Sequence, residues 1–193
     1  QDMTPGNNEI YCRTSTNGGS TWISSKRLTW TTGLSEQPVI AADSSGRLHV
    51  AWQDNTTWQW QIYYKNSEDG GSTWSTTRAI TGTSGDSFYA DLAAGPSDHL
   101  HMVWNAYPQV YYKTSTDGGG GWTTGRRLTW SGGLSGYPAL AVDSSGDLHV
   151  VWDNDATGKD EIYYKKSTDE GVTWTATKRI TWPSGESYYS AIA

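Results

Sequence analysis

The stretch KNSEDGGSTW, residues 65–74, decides the fold because close copies of it recur three more times along the chain. The copies are RTSTNGGSTW at 13–22, KTSTDGGGGW at 113–122 and KKSTDEGVTW at 165–174. The tryptophans that end the four copies follow one another at intervals of 52, 48 and 52 residues. A sequence period of about fifty residues indicates an array of repeated supersecondary units.

The segments around this loop repeat with it. PVIAADSSGRLHVAW (38–52) matches PALAVDSSGDLHVVW (138–152), and ADLAAGPSDHLHMVW (90–104) is a looser copy. Each unit reads as four short strands, represented by PVIAA, LHVAW, QIYYK and RLTW, because these segments are rich in β-branched and aromatic residues and bounded by turn residues. Four strands in a repeat of about forty to fifty residues are typical of a β-propeller.

The loop pattern S-x-D-x-G-x-T-W resembles the Asp-box, or BNR repeat, of the sialidase-like β-propellers. Two copies depart from the pattern, with Asn17 in place of the aspartate in the first and Gly121 in place of the threonine in the third. We interpret the loops as structural, since fourfold repetition is what packing requires and chemistry does not. The same reasoning assigns the repeated strand-two histidines, His49, His101 and His149, to packing. The predicted Asp-box residues are Ser15, Asn17, Gly19, Trp22, Ser67, Asp69, Gly71, Trp74, Ser115, Asp117, Gly119, Trp122, Ser167, Asp169, Gly171 and Trp174.

We predict a single all-β domain over residues 1–193, a propeller of about four blades of four antiparallel strands. The repeat alignment divides it into units at about 1–34, 35–84, 85–134, 135–186 and 187–193. The first and last units are partial: the first supplies strands three and four, and the last supplies a lone strand one. Together they would form a fourth blade that lacks its second strand. Two explanations remain open: the sequence belongs to a longer array of about six to eight blades, or a strand from another molecule fills the gap and builds a fibre head to tail.

The composition narrows the classes of partner. The formal net charge is −6, and the basic residues do not cluster as nucleic-acid binding requires. No apolar run is long enough to cross a membrane. Cys12 is the one cysteine, so no internal disulfide can form. The family resemblance and the polar, aromatic-rich composition predict an extracellular or cell-surface protein.

Ligand sites in such propellers are expected on the face that carries the loops from strand two to three and from strand four to the next strand one. A tyrosine opens strand one in three units, at Tyr89, Tyr137 and Tyr189, either as packing or as a lining of the channel mouth. Trp58 and Trp60 stand in a loop on the same face without counterparts in the other units. Unrepeated aromatic residues suit sugar stacking or protein contact.

Two acidic features complete the candidates. Asp91 places a carboxylate in an inner strand where the other units have valine or alanine, which makes it a functional candidate. The loop DNDATGKDE, 153–161, spaces Asp153 and Asp155 like the start of a calcium loop, but Tyr164 replaces the glutamate expected at the twelfth position. A solvated acidic loop is the competing interpretation. No cofactor is predicted, and calcium is the one metal that the sequence suggests.

Catalysis has less support. The resemblance to sialidases implies an arginine triad, a tyrosine nucleophile with a glutamate, and an aspartate acid, but their Phe-Arg-Ile-Pro motif is absent from this sequence. The repeated arginines all fall at the start of strand four, which is expected to be outermost. They are Arg27, Arg78, Arg127 and Arg179. The remaining Arg13, Arg47 and Arg126 are scattered over strands or turns away from the binding face, so no triad can be assembled. We therefore expect a member of the family without enzymatic activity.

Three functions are compatible with these features. The leading hypothesis is a non-enzymatic extracellular module that works by protein contact, through self-assembly, filament formation by strand complementation, or adhesion. The alternative is a lectin-like carbohydrate-binding module that uses the three tyrosines and two tryptophans. The third is a sialidase-like glycoside hydrolase. The partner is accordingly a second copy of the chain or a glycan.

Overall fold

A computed structural model of the chain describes residues 6–82, 84–130, 132–182, 185 and 187–193. Within these residues the regular elements are all β-strands, and no helix has the length and hydrophobicity to cross a lipid bilayer. The strands are β1 (Tyr11–Cys12), β2 (Lys26–Arg27), β3 (Ser35–Ala42), β4 (Leu48–Asp54), β5 (Gln61–Ser67), β6 (Arg78–Ala79), β7 (Phe88–Ala94), β8 (Leu100–Ala106), β9 (Gln109–Ser115), β10 (Arg126–Arg127), β11 (Ser135–Val142), β12 (Leu148–Asn154), β13 (Glu161–Ser167) and β14 (Lys178–Arg179).

The strands of each repeat form one antiparallel sheet in chain order. We call the sheets units I (β1–β2), II (β3–β6), III (β7–β10) and IV (β11–β14); unit I has two strands and the others have four. The first strands β3, β7 and β11 lie side by side, as the innermost strands of a propeller do. The predicted all-β propeller, with three complete units and a partial one at the N-terminal end, is confirmed.

The hydrophobic core lies between successive sheets. Between units II and III, Ile62 and Tyr64 pack with Leu92, Met102 and Trp104. Corresponding clusters fill the gaps between units III and IV and between units I and II. The second strands β4, β8 and β12 are buried along most of their length, which explains why they read as apolar runs in the sequence.

The Asp-box loops use their polar side chains internally. In unit II, Ser67 donates to Asp69 Oδ1 at 2.8 Å, and Asp69 accepts the backbone N–H of Thr73 at 2.7 Å. The indole N–H of Trp74 donates to the carbonyl of Gly71 at 3.1 Å. Unit IV repeats all of these bonds. Because the side chains replace a missing strand ladder, the geometry agrees with a structural role for the loop.

Each Asp-box tryptophan packs on the preceding sheet where such a sheet exists. The edge of Trp174 meets the ring of Tyr112 at 5.2 Å between centroids, and Trp122 meets Tyr64 at 5.6 Å. The tyrosines are held in turn by the strand-two histidines: Tyr112 OH lies 2.7 Å from His101 Nδ1. Trp22 of unit I has no such neighbour in the part of the chain that the structure describes, and 58% of its surface is exposed.

The fourth strands are shorter than predicted. The strands β2, β6, β10 and β14 are two residues long, and the segments RLTW, RAIT, RLTW and RITW contribute only one or two residues to them. The ladder ends because a threonine side chain takes over: the N–H of Ile10 donates to Thr29 Oγ1 at 2.9 Å instead of to a strand carbonyl. Thr81, Thr129 and Thr181 do the same in the other units.

The lone first strand predicted at 187–193 is not a strand in the structure. A strand is defined by its hydrogen-bonded ladder, and the second strand that would pair with this segment has no counterpart in the repeat alignment. The backbone nevertheless keeps the conformation of its relatives. Tyr189 has a φ of +57°, close to the +50° of Tyr89 and the +44° of Tyr137.

Candidate functional site

The three tyrosines predicted at the channel mouth are in contact. The ring centroids of Tyr89 and Tyr137 lie 4.4 Å apart, and those of Tyr137 and Tyr189 are also 4.4 Å apart. Hydrogen bonds to Tyr89 and Tyr189 raise the pKa of the Tyr137 phenol above its usual range. All three residues have positive φ, as does Gln37 at the same position of unit II, and in β3, β7 and β11 the position coincides with a β-bulge, so this conformation belongs to the repeated architecture.

Further rings extend this contact into a row across the face. Phe88 lies 6.0 Å from Tyr89, Trp60 lies 5.9 Å from Phe88, and Tyr188 lies 5.1 Å from Tyr189. We call Trp60, Phe88, Tyr89, Tyr137, Tyr189 and Tyr188 the aromatic row. Sequence reasoning missed Phe88 and Tyr188. The available signal was that both precede a channel tyrosine, at a position where unit II has glutamate and unit IV has glycine.

Trp58, predicted as a partner of Trp60, is separate from the row. Its side chain is 97% exposed and borders a surface cleft of about 470 Å³ formed with Gly33, Leu34 and Asn55. The ring of Trp60 instead contacts Phe88 of unit III, and the backbone N–H of Trp60 donates to Asp86 Oδ1 at 2.9 Å. The two tryptophans therefore do not form one binding surface.

A pocket of about 410 Å³ opens beside the row, between units III and IV. We call it the mouth pocket; its lining consists of Phe88, Tyr89, Asn105, Tyr107, Leu134, Ser135, Gly136, Tyr137, Asp153, Asp155 and Asp160. Aromatic rings form one part of the wall and three carboxylates another. Among these described lining residues there is no lysine, arginine or histidine.

Asp153 is the most buried carboxylate of the pocket. The residue is 6% exposed, and its Oδ1 has no hydrogen-bond partner among the described residues. Burial is the main cause that raises the pKa of Asp153 to about 6, and the charges of the neighbouring Asp160 and Asp155 contribute to this value. A buried charge without a partner is unfavourable for folding, so the residue calls for an explanation outside the fold.

The corresponding residues of the other units are neutral amides that bind the next sheet. Gln53 Oε1 accepts the N–H of Tyr89 at 3.1 Å, and Asn105 donates to the carbonyl of Ser135. The propeller thus needs a hydrogen-bonding side chain at this position but not a charge. Asp153 departs from the repeat, and sequence reasoning had assigned it only to a calcium loop.

Asp155 has a structural partner. Its Oδ1 accepts the N–H of Leu134 at 2.6 Å, just as Asn55 Oδ1 accepts the N–H of Leu34 at 2.7 Å in unit II. A neutral amide does the same work, so the position does not require a metal ion. No group of three or more histidine, cysteine, aspartate or glutamate residues in the described chain is arranged to hold one. Calcium binding by Asp153 and Asp155 therefore stays a prediction that the geometry does not favour.

Asp91 connects two inner strands. Its Oδ2 accepts the N–H of Leu140 in unit IV at 2.8 Å, and its Oδ1 accepts the N–H of Leu92 at 2.9 Å. Burial raises its pKa, and the two backbone bonds oppose that effect. The carboxylate lies next to the tyrosines on the channel side, where Tyr89, Tyr137 and Tyr189 line a cavity of about 260 Å³ with it. Its bonds give it a role in joining units III and IV.

The arginines of the fourth strands lie away from the pocket, as the sequence predicts. Arg27 pairs with the buried Glu9 at 2.6 Å, and Arg179 pairs with Glu161. Arg27 and Arg179 also lie over Trp30 and Trp182, at 5.6 Å and 5.8 Å from the ring centroids. These contacts occupy the two guanidinium groups at the outer edge of the sheets, away from the described lining residues of the mouth pocket.

Comparison with known families gives one match that covers almost the whole chain. The family described as a BNR repeat-like domain matches residues 5–193. A comparison with curated proteins gives no match.

Solved structures with the same fold are distant in sequence. The intramolecular trans-sialidase from Ruminococcus gnavus is 13% identical with a TM-score of 0.66, over 88% of this chain and 63% of that chain. The NanB sialidase from Streptococcus pneumoniae is 20% identical with a TM-score of 0.65, over 96% of this chain and 30% of that one. An α-L-arabinanase from Penicillium chrysogenum is 19% identical with a TM-score of 0.65, over 94% and 61%. The chain thus spans less than two thirds of each of these proteins, and the likeness shows the fold.

Proposed function

Because this chain belongs to the BNR repeat-like family, we propose that it is a carbohydrate-binding protein without enzymatic activity, which holds a glycan on the aromatic row and in the mouth pocket. The observation that carries the proposal is the row itself, in which six rings follow one another at centroid distances of 4.4 to 6.0 Å beside the pocket. Packing between sheets does not require rings at this face.

The row and the pocket offer the two kinds of contact that sugars need. Aromatic faces pack against the C–H faces of pyranose rings, and phenol hydroxyls and carboxylates bind sugar hydroxyl groups. A cavity of about 410 Å³ falls in the size range of small-ligand sites. Sialidases and an arabinanase share the fold, and the names of these proteins describe enzymes that act on carbohydrates, which supports a carbohydrate ligand for this chain.

The lining of the pocket supports binding rather than sialoside hydrolysis. Its described residues offer no cationic side chain to a substrate carboxylate. A carboxyl with a pKa near 6, such as that of Asp153, can serve as a general acid, so hydrolysis of another glycoside is the competing function. Incubation with a fluorogenic sialoside and with arabino-oligosaccharides tests this point, and we expect no released product.

A glycan array followed by calorimetry on the strongest ligand tests the proposal. We expect binding that falls at least about tenfold in the variants Tyr137→Ala and Trp60→Ala. Trp130→Ala is the matched control, because Trp130 is exposed just after β10, under Arg127 and outside the row. Circular dichroism verifies that each variant folds. Silence across the array, or equal affinity in all three variants, would reject the proposal.

Self-association is a second candidate function, favoured by the exposed Asp-box of unit I. Trp122 and Trp174 cover tyrosines of the preceding sheets, whereas Trp22 is uncovered, and Tyr164 of unit IV is only half-buried. Packing of Trp22 on Tyr164 of a second copy would repeat the observed contact head to tail. Light scattering over a concentration series tests it: growth of mass in the wild type, but not in Trp22→Ser, supports the contact. A monomer at all concentrations overturns it.

Either function fits a protein that works outside the cell or on its surface, and we propose that location. The described surface combines exposed aromatic rings with a polar, acidic composition, which suits contact with glycans or with other copies. Labelling of intact cells with an antibody against the protein tests the location, and signal only after permeabilisation would contradict it.

A further inference from the structure

The mouth pocket combines carboxylates with aromatic walls and, among its described residues, has no cationic side chain of its own. We propose that the glycan it takes carries a positive charge, namely an amino sugar with a free ammonium group, whose nitrogen binds Asp153 while its ring lies against Tyr137. This inference rests on the proposed glycan-binding function and adds to it the chemical class of the ligand.

Asp153 supplies the anionic partner. The residue is 6% exposed, and its Oδ1 is buried without a hydrogen-bond partner in the described part of the chain. A desolvated carboxylate gains most from a ligand that brings both a charge and N–H donors. An ammonium group does both, whereas a sugar hydroxyl provides a donor without charge.

The repeats show that a neutral ligand would not need this residue. Gln53 and Asn105 occupy the same position in units II and III and satisfy their amides with the neighbouring sheet. A hydroxyl group of a neutral sugar could be bound equally well by an amide at position 153. The charge is the feature that sets Asp153 apart, so the ligand that explains it is a cation.

The aromatic walls favour the same class of ligand. Phe88, Tyr89, Tyr107 and Tyr137 line the pocket together with Asp153. Ring faces attract cations within about 6 Å of the ring centroid, and this attraction grows when the cation is desolvated. An anionic sugar such as sialic acid would be repelled, because three carboxylates line the pocket and the chain has a net charge of −6.

The proposal makes binding dependent on pH in a defined direction. The groups that face Asp153 are Asp155 and Asp160 from the β12–β13 loop, Tyr89 from β7, Tyr107 after β8 and Tyr137 from β11. The pKa of the Tyr137 phenol is raised, so this group stays neutral near pH 7. Protonation of Asp153, whose pKa is about 6, removes its charge, so for a ligand whose amine stays fully protonated the affinity falls as the pH drops from 7 to 5.

Calorimetry with three probes tests the inference at pH 7 and about 0.15 M salt, which screens general attraction to an acidic surface. The probes are a glucosamine tetramer, its fully N-acetylated form and sialyllactose. We expect the glucosamine tetramer to bind at least about tenfold more tightly than the acetylated form, and sialyllactose not to bind. We expect Asp153→Asn to abolish this preference.

The control variant is Glu68→Gln, which removes one charge from the exposed Asp-box loop on the opposite face and is expected to keep the preference. Asn105 shows that the fold accepts asparagine at the Asp153 position, and a thermal melt verifies folding. Equal binding of both tetramers by the wild type overturns the inference but leaves glycan binding intact. Absence of binding by any glycan overturns the proposed function and the inference together.

Discussion

Trp58 adopts a φ of +67° at the position where Gly158, in the corresponding turn of unit IV, has a φ of +82°. Both residues close the turn in the same way: the N–H of Trp58 donates to the carbonyl of Asn55 at 2.9 Å, and that of Gly158 to the carbonyl of Asp155 at 2.8 Å. The turn therefore prefers glycine. We propose that Trp58, a large residue held at positive φ and almost fully exposed to solvent, serves contact with a partner.

We expect Trp58→Gly to leave the free energy of unfolding unchanged or to raise it by up to about 1 kcal/mol. The left-handed conformation costs a residue with a side chain about 1–2 kcal/mol, so glycine relieves this strain in the folded state. Glycine also gives the unfolded chain more conformational freedom, which lowers the stability gain by about 0.5–1 kcal/mol. Urea denaturation measures the difference. Trp60→Gly, which removes the contact with Phe88, is the comparison and is expected to destabilise. A loss of more than about 1 kcal/mol in Trp58→Gly would show that this side chain packs in the fold.

Asp153→Asn is expected to stabilise the unliganded protein at neutral pH and to have no effect in acid. The pKa of Asp153 is about 6 in the folded chain against a reference of 3.8, so folding favours the protonated form. Well below pH 3.8 the carboxyl is protonated in both states. As the pH rises from 3.8 to about 6, the unfolded chain ionises while the folded chain keeps the buried carboxyl protonated, so stability is lost over this range and stays low above it. We expect the variant to gain about 1–2 kcal/mol at pH 8 relative to pH 4. A gain that is the same at both pH values would refute the assignment.

The repeats also predict which Asp-box glycines tolerate a side chain. Gly171 and Gly19 have similar φ values, +85° and +88°, so alanine is strained equally at both. A Cβ at Gly171 would overlap the hydroxyl of Tyr112, whereas a Cβ at Gly19 meets only Trp22, at 3.8 Å. We expect Gly171→Ala to cost about 1–3 kcal/mol more than Gly19→Ala in chemical denaturation. Equal costs would contradict the close approach between units III and IV.

The fold could be predicted from the sequence because four copies of one loop and the matching strand segments indicate a repeat architecture with four strands in each unit. The lengths of the fourth strands were not readable. The strand lengths depend on whether the N–H of residues such as Ile10 donates to a threonine hydroxyl or to a strand carbonyl. The β-propensity of the sequence is the same in both cases. The segment at 187–193 looks like a strand by composition, but pairing with another strand decides that state.

The candidate site could be predicted only in part, because the repeat pattern gives the position of a residue within its unit but not its contacts with other units. Position in the repeat placed Tyr89, Tyr137 and Tyr189 at the channel mouth, where they lie in contact. It could not show that Trp58 and Trp60, two residues apart, point in different directions, because the backbone conformation of Trp58 separates them. The environment of Asp153 depends on rings and carboxylates from both sides of the gap between two units, which a single sequence does not place together.

The tyrosines of the third strands provide a last test, since their hydroxyl groups join neighbouring sheets. Tyr112 OH is bound to His101 at 2.7 Å and donates to the carbonyl of Glu170 in unit IV at 3.0 Å. Tyr164 OH lies 2.8 Å from His149, and in the described chain no following sheet provides it with a carbonyl. Tyr112→Phe leaves the ring nitrogen of the buried His101 and the carbonyl of Glu170 without this hydrogen-bond partner, so we expect the free energy of unfolding to fall by about 1–3 kcal/mol.

Tyr164→Phe is the matched control. Tyr164 is half-buried, so water can replace the lost bond to His149, and we expect a loss of about 1 kcal/mol or less. Thermal and urea denaturation of the two variants at pH 7 provide the comparison. The difference arises because Tyr112 is covered by Trp174 of the next sheet, whereas Tyr164 has no such cover within the described residues. If the two variants lose the same stability, the hydroxyl groups do not hold successive units together, and the contact between units rests on the aromatic rings alone.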